Sequence, residues 1–295
     1  MDDAAAVKET RRVLRQVQAH LTQARLNVGA TCENVGLMEV FHHAQYVLPD
    51  LNLVTPRRNT AWVSVKEVET GLKALQAYNR PRRVEYIEGL TMPIFAKSLG
   101  ELGLTMERQT PLLVHQPAPQ PAPAPPSVPD GVTVAHVNTH EGCALWWYVW
   151  HNAYYEVLTQ AVDPITIGQS MQQLAAGHQL DLVLYRYRFP IGVARLTLVP
   201  EDHSAHITGL ALLKEARTPQ LVQMLQGRAV QAAHQRGCTL VFTTSATELD
   251  RQAYQANGFA NYGSLVYYAE KHTSNGNHKD APDERVVQPV LIPPQ

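Results

Sequence analysis

Apolar and polar positions alternate along the first half of the chain in patterns that predict both helices and strands. Apolar residues at helical spacing predict helices over residues 7–26 and 67–77, and a short helix over 93–102 that ends at Gly103. Short apolar runs predict strands at four places, residues 51–55, 62–65, 83–87 and 112–115. Helices and strands therefore succeed each other from the start.

The second half repeats this succession with clearer boundaries. The pattern predicts a strand over 132–137, helices over 141–158 and 164–176, and a strand pair over 180–188 and 191–199. A strand over 207–213 is followed by a helix that begins at Thr218 and Pro219, because a hydroxyl cap and a proline at the first helical position favour a helix start.

That helix ends at Gly237, and the chain continues with a strand over 239–243, a helix ending at Gly258, and a strand over 265–268. The residues Thr247 and Asp250 resemble a capping box at the start of this last helix. Since a helix joins strands 207–213 and 239–243, we expect these two strands to lie parallel.

A proline-rich stretch separates the two halves. Seven of the fifteen residues in 116–130 are proline, which favours an extended polyproline linker, with a docking ligand for another protein as the alternative. The expected domains are therefore 1–115 and 131–270. The polar segment 271–295 is expected to be disordered.

Composition narrows the classes of function. With 25 basic and 26 acidic residues, the net charge of −1 favours neither nucleic acid nor an anionic membrane as partner. No apolar run approaches the ~20 residues of a membrane span, and the charged start lacks the apolar core of a signal peptide. Cys32, Cys143 and Cys238 form no CxxC pair, so we expect reduced thiols and a cytoplasmic protein.

The stretch 206–263 carries a family resemblance. Its strand, turn and helix, followed by "RGCTLVFTTS" and by "AYQANGF" with Tyr254, Gly258 and Phe259, resemble the core of the GCN5-related N-acetyltransferases (GNAT) over about residues 132–269. Residues 83–115 show the same order of strand, helix, glycine and strand that ends the C-terminal half. The chain thus resembles a tandem GNAT protein. The implied fold class is α/β, or more narrowly α+β, with two mixed sheets flanked by helices and a degenerate N-terminal copy.

The resemblance implies acetyl-CoA, or another acyl-CoA, as co-substrate. The family turn that holds the coenzyme A pyrophosphate, Arg/Gln-x-x-Gly-x-Gly/Ala, corresponds here to residues 217–222, where Gln220 and Val222 replace the two small residues. The resemblance assigns the pyrophosphate to side chains and helix-start amides, and the pantetheine arm to the backbone of a strand. The residues so assigned are Lys214, Arg217, Leu221 and Val222 for the phosphates, and Leu210 and Leu212 for pantetheine.

Two residues are candidates for proton transfer. Tyr254 matches the family tyrosine that can protonate the leaving thiol, although it can equally be a half-buried helix tyrosine. His206 titrates in a useful range on the strand that often supplies the family's base, although a solvent-facing strand histidine is the alternative. His203 and His206 lack further ligands, so no metal is expected.

The helix "CALWWYVWHNAYYEVL" is the most aromatic stretch of the chain. In the family, the first helix lines the acceptor site, which makes Trp147, Trp150, His151 and Tyr154 the candidate substrate-binding residues. The alternative is that these aromatic residues form the core and an interface between the domains.

The resemblance therefore implies direct transfer of an acyl group, with acetyl favoured, to an amine on a small molecule. Two alternatives stay open. One is a non-catalytic scaffold of the same fold, which is favoured by the loss of the two small residues from the pyrophosphate turn. The other is a GNAT-fold enzyme of different chemistry, such as a decarboxylase. We expect a small-molecule substrate, no nucleic acid or membrane partner, and leave a homodimer open.

Overall fold

The computed structural model describes residues 3–116, 129–155, 162–244 and 248–270. Its contacts divide the chain into two units, the first made of the described residues up to Leu112 together with 262–270, and the second of Leu113–Asn261. The predicted boundaries assigned 262–270 to the C-terminal domain, whereas its contacts group it with the first unit. Most of the predicted linker and the predicted tail lie outside the described residues.

Helices and strands alternate through the described chain. The described helices are α1 (Asp3–Asn27), α2 (Val65–Ala77), α3 (Ile94–Glu101), α4 (His140–Tyr155), α5 (Pro164–Ala175), α6 (Pro219–Gln235) and α7 (Glu248–Ala256). The described strands are β1 (Thr31–Val35), β2 (Met38–His42), β3 (Leu53–Pro56), β4 (Arg83–Ile87), β5 (Leu104–His115), β6 (Val132–His136), β7 (Gln179–Arg186), β8 (Phe189–Val199), β9 (Ser204–Leu212), β10 (Leu240–Thr243) and β11 (Ala260–Glu270). This α/β character confirms the predicted fold class.

In the first unit, the strand order is β1-β2-β3-β4-β11-β5, and β3 and β4 are parallel neighbours. Helices α2 and α3 pack on this sheet and form a core with it. Ser64 caps the start of helix α2, because its hydroxyl accepts a hydrogen bond from the Glu67 amide. Gly71 lets α2 approach closely, since an added Cβ there would lie 2.9 Å from Val54.

In the second unit, the strand order is β5-β10-β9-β8-β7-β6. The neighbours β9 and β10 are parallel, as the helix between them predicts, and the other neighbouring pairs are antiparallel. Leu182 and Leu184 on β7 belong to the α6 core, whereas Val183 belongs to the α4 core. Because successive strand residues face opposite sides, α6 and α4 cover opposite faces of this sheet.

Most predicted elements are confirmed within a few residues, but the first unit holds three errors. The strand predicted over 112–115 is too short, because β5 begins at Leu104. The predicted strand at 62–65 is wrong, because these residues lead into α2 and Ser64 caps it. The hairpin of β1 and β2 was not predicted. Its first strand is weakly buried, and its turn depends on Gly36 at φ 58°, a conformation that glycine adopts readily.

Candidate functional site

The site begins where β9 and β10 stop pairing. Their register ends at Phe242 opposite His206, and the Thr243 hydroxyl then donates to the Ile207 carbonyl at 3.1 Å. Strand β9 continues to Leu212 and pairs only with β8 there, as far as the described residues show. Among the described residues, the β9 edge, residues 208–212, is thereby left without a strand neighbour on the β10 side.

A β-bulge lies at the start of the β9 edge. Arg195 pairs with Gly209 and Leu196 with Ile207, so Thr208 is the extra residue. Its hydroxyl donates to the Arg195 carbonyl at 3.4 Å. The bulge places a backbone peptide outside the regular ladder at the point where the two parallel strands part.

The bulge also changes which residues share a face. Ile207, Leu210 and Leu212 all pack with the α6 core, while Ala211 packs with the α4 core. Strict alternation would place His206, Leu210 and Leu212 on one face, but the extra residue shifts the alternation by one.

Tyr254, the predicted proton donor, lies on α7 within the α6 core. It is 3 % exposed, and its ring meets Phe259 edge to face with centroids 4.8 Å apart. Burial raises the pKa of Tyr254 well above its usual value, while a hydrogen bond with Thr243 partly opposes that rise. The phenol therefore stays protonated and is hydrogen-bonded to Thr243, whose hydroxyl also links β10 to β9.

His206, the predicted base, lies on the other face of the sheet. Its half-buried ring stacks on Phe242 with centroids 4.4 Å apart and an interplanar angle of 8°. Since Ile207 faces the α6 core, its neighbour His206 faces the α4 side. The two candidate proton-transfer residues thus flank the same parting of strands from opposite sides.

The aromatic residues of α4 are mainly core residues of the second unit. Trp146, Trp147 and Trp150 are buried, and the Trp147 Nε1 donates to Ser170 at 2.9 Å. Trp147, a predicted substrate contact, is therefore already engaged in the core.

Trp150 reaches the β9 edge. An added Cβ at Gly209 would lie 3.1 Å from its ring, so the two pack closely. The buried Trp150 Nε1 has no hydrogen-bond partner in the part of the chain that the structure describes. Tyr154 stacks on Trp150 with centroids 5.1 Å apart, and burial lowers the pKa of the half-buried His151. Trp150, His151 and Tyr154 therefore extend from the bulge along α4.

The turn before α6 has few free amides. The amides of Ala216, Arg217 and Thr218 donate to carbonyls within residues 213–216. The Leu221 amide donates to the Thr218 hydroxyl at 3.4 Å and the Val222 amide to the Thr218 carbonyl at 3.0 Å.

The side chains of this turn divide into two groups. Leu221 and Val222 are buried, whereas Lys214 and Arg217 are exposed, and Arg217 lies 3.8 Å from an Asp250 oxygen. A diphosphate would have to displace the internal partners of the Leu221 and Val222 amides, so the exposed Lys214 and Arg217 side chains are better suited to an anion than these amides.

Sequence reasoning missed a buried ion pair beneath this site. Arg195 donates to both carboxylate oxygens of Asp181, at 2.8 and 2.7 Å, and its guanidinium lies 3.9 Å from the centre of the Trp146 ring. A charged residue inside each of the apolar strands "LDLVL" and "VARLTL" was the available signal. The pair fixes β8, the strand that pairs with the bulged β9, against α4.

Two further observations concern metals and membranes. Within the described ranges, no group of three or more His, Cys, Asp or Glu side chains could hold a metal ion. Among the described helices, none has the length and apolar character needed to cross a membrane.

The elements and the parted parallel strands define an α/β protein with two mixed-sheet units. Solved structures show which fold this is: a GCN5-related N-acetyltransferase from Kribbella flavida matches with a TM-score of 0.68 and 20 % identity over 90 % of this chain and 97 % of that one. A tandem GNAT protein from the clavulanic acid biosynthesis pathway matches with a TM-score of 0.54 and 12 % identity over 90 % and 95 % of the two chains. The chain therefore has the fold of the GCN5-related N-acetyltransferases, which confirms the predicted resemblance.

Similarity in sequence is much weaker than similarity in fold. A GCN5-related N-acetyltransferase from Sphaerobacter thermophilus matches with a TM-score of 0.50 and 16 % identity over 69 % of this chain and 66 % of that one. No family model and no curated protein matches the sequence.

Proposed function

We propose that the chain transfers an acyl group, acetyl in the first instance, from a coenzyme A thioester to an amine on a small molecule. The observation that carries this proposal is the β9 edge, which has no strand neighbour on one side within the described part of the chain and begins with the bulge at Thr208. An extended pantetheine arm carries amides that can pair with such a strand edge. The displaced peptide at the bulge is suited to polarise a thioester carbonyl there.

The reaction needs one proton removed and one supplied. The amine nitrogen attacks the thioester carbonyl carbon, a C–N bond forms, the C–S bond breaks, and the sulfur leaves as a thiolate that takes up a proton. We assign that proton to Tyr254, whose phenol bonds to Thr243 at the place where β9 and β10 part. His206, or a water beside it, accepts the proton from the amine on the opposite face of the sheet.

The acceptor amine would lie on the α4 side, against Trp150 and Tyr154. The half-buried Tyr154 ring, backed by the buried Trp150, offers an apolar or cation-binding surface, and the Trp150 Nε1 behind it is a buried donor without a partner among the described residues. His151 extends this surface. We leave Trp147 out of the acceptor site because its Nε1 already donates to Ser170.

The diphosphate end of coenzyme A would be held weakly. The exposed side chains of Lys214 and Arg217 supply positive charge, whereas the amides of Leu221 and Val222 already have partners. We therefore place most of the binding free energy at the pantetheine arm, along the backbone of Leu210 and Leu212.

Calorimetric titrations with acetyl-CoA, S-acetyl-pantetheine and 3′-phospho-ADP test this division. We expect the dissociation constant of S-acetyl-pantetheine to lie within about tenfold of that of acetyl-CoA, a difference of ~1.4 kcal/mol. We expect no measurable binding of 3′-phospho-ADP. Absence of binding of both thioesters at millimolar concentration would contradict the proposed function.

A matched pair of Tyr→Phe variants tests the proton donor. Tyr254→Phe should lower thiol release from acetyl-CoA, measured with a panel of small amines, by about 100-fold or more while leaving the dissociation constant unchanged. Tyr187→Phe, on the exposed hairpin between β7 and β8, removes a hydroxyl elsewhere and should change neither quantity. Full turnover in Tyr254→Phe would remove the role assigned to this residue.

One observation favours a second function, a non-catalytic binding scaffold. The turn before α6 satisfies its amides internally through Thr218, as a turn with no phosphate to bind would do. This reading predicts no heat of binding with either thioester. The titration that tests the first function therefore also decides between the two.

A further inference from the structure

We propose that the first unit contains a separate binding site for the phosphate group of a small molecule. The site is the α1 pocket, which lies among α1, the ends of β3 and β4, and the loop after β3. Its ligand would be a phosphate monoester, which is distinct from the thioester assigned to the second unit.

One face of α1 forms a wall of the pocket. Its polar residues recur at intervals of four and three: Arg11, Arg15, Gln18, Thr22 and Arg25. This spacing aligns side chains along one side of a helix. The opposite wall carries hydroxyl and amide groups from Thr55, Asn59, Thr60 and Thr91. Donors of hydrogen bonds thus line both sides.

The charges in the pocket do not cancel. Arg25 is buried and donates to Glu85 at 2.5 Å and to the Asp50 carbonyl at 2.8 Å, so the Glu85 carboxylate is already neutralised. Glu85 is the only carboxylate that lines the pocket among the described residues. Arg11 and Arg15 have no hydrogen bond or ion pair within the part of the chain that the structure describes. Two cationic side chains are therefore left for an anion.

The pocket encloses about 590 Å³ including its open mouth, which accommodates a phosphate head group beside Arg11 and Arg15.

The rest of the ligand would lie along α1 outside the pocket. Two shallower depressions share Arg15 with it and add Lys8 and Arg58. A dianionic phosphate matches the two unpaired arginines, since guanidinium groups bind phosphate oxygens in pairs of hydrogen bonds.

Phosphorus NMR and thermal-shift titrations of the full chain with inorganic phosphate test the site, with sodium chloride added to hold the ionic strength constant. We expect saturable binding that is weakened at least tenfold in Arg11→Gln and in Arg15→Gln. Both side chains are exposed or half-buried, and circular dichroism checks that each variant folds. Lys73→Gln is the control, because Lys73 on α2 is exposed, pairs with Glu69 and lines none of these depressions.

Three results would overturn the proposal. Equal phosphate binding by Arg15→Gln, Lys73→Gln and the unaltered chain would show a general salt effect. Tighter binding of acetate or succinate than of phosphate would assign the pocket to carboxylates. Loss of acetyl-CoA binding in Arg15→Gln would place the thioester in the first unit, whereas retention of that binding together with loss of phosphate binding supports two separate sites.

Discussion

Replacement of Asp181 by Asn should strongly destabilise the second unit. Asp181 is 1 % exposed and accepts hydrogen bonds from Arg195 at 2.8 and 2.7 Å and from Gln179 at 2.8 Å. The substitution keeps the size of the side chain and removes its charge. Arg195, itself 5 % exposed, would then be a buried guanidinium with no counter-charge among the described residues around it.

The expected loss follows from that uncompensated charge. Removing one partner of a buried ion pair costs about 3–5 kcal/mol, against a total free energy of unfolding of about 5–15 kcal/mol for a typical domain. Since 1 kcal/mol shifts the midpoint by roughly 2–4 °C in a domain of this size, the unfolding temperature should fall by roughly 6–20 °C.

Urea unfolding followed by tryptophan fluorescence measures this loss, because Trp146 and Trp147 contact the Arg195 guanidinium. The double variant Asp181→Leu/Arg195→Met removes both charges and should recover much of the stability. Asp163→Asn is the matched control: Asp163 caps α5, and Asn caps equally well. A loss below about 1 kcal/mol in Asp181→Asn would refute the reasoning, since the pair would then contribute no more than an exposed one.

Three further predictions concern the cap, pH and thiol reactivity. Thr218→Ala removes the acceptor of the Leu221 amide and should lower the free energy of unfolding in urea by about 1 kcal/mol, whereas Thr218→Ser should not. Burial and then the neighbouring His234 lower the pKa of His115 to about 4, so the unfolded chain binds the extra proton first. Stability should therefore fall as pH drops from about 6.5 to 4, and His115→Asn should reduce that slope; an unchanged slope would contradict the assignment. Burial raises the pKa of the Cys143 thiol to about 11, so a thiol reagent at pH 8 should label it only as fast as the unit unfolds, and immediate labelling of the folded chain would contradict this.

The order of elements in the second unit could be predicted because local signals are strong there. Thr218 and Pro219 mark the start of α6, and its cap forms as expected. In the first unit, the β1–β2 hairpin escaped prediction because a half-exposed edge strand shows little alternation of apolar and polar residues. Where the apolar period is weak, pattern alone does not separate a strand from a loop.

The chemistry of the site was only partly accessible from sequence. Tyr254 and His206 were predicted from their residue types and from the resemblance, but their placement on opposite faces depends on cross-strand register. The bulge at Thr208 could not be predicted from the sequence. An extra residue in a strand becomes apparent only when the residues that pair with it in the neighbouring strand are known. The α1 pocket was missed for a related reason, since Arg11 and Arg15 are ordinary residues of an exposed helix face until the ends of β3 and β4 are placed beside them.

The pairing of β11 with β4 has a consequence for how the chain folds as it is synthesised. Leu265 lies opposite Ile87, so a strand from near the end of the described chain completes the first unit, while Leu113–Asn261 forms the second unit from one continuous stretch. On the ribosome, the second unit can therefore fold before the first has received its last strand. Until then, the edge of β4 would remain unpaired. The folding rate of the first unit would be governed by closure of the very long loop between β4 and β11.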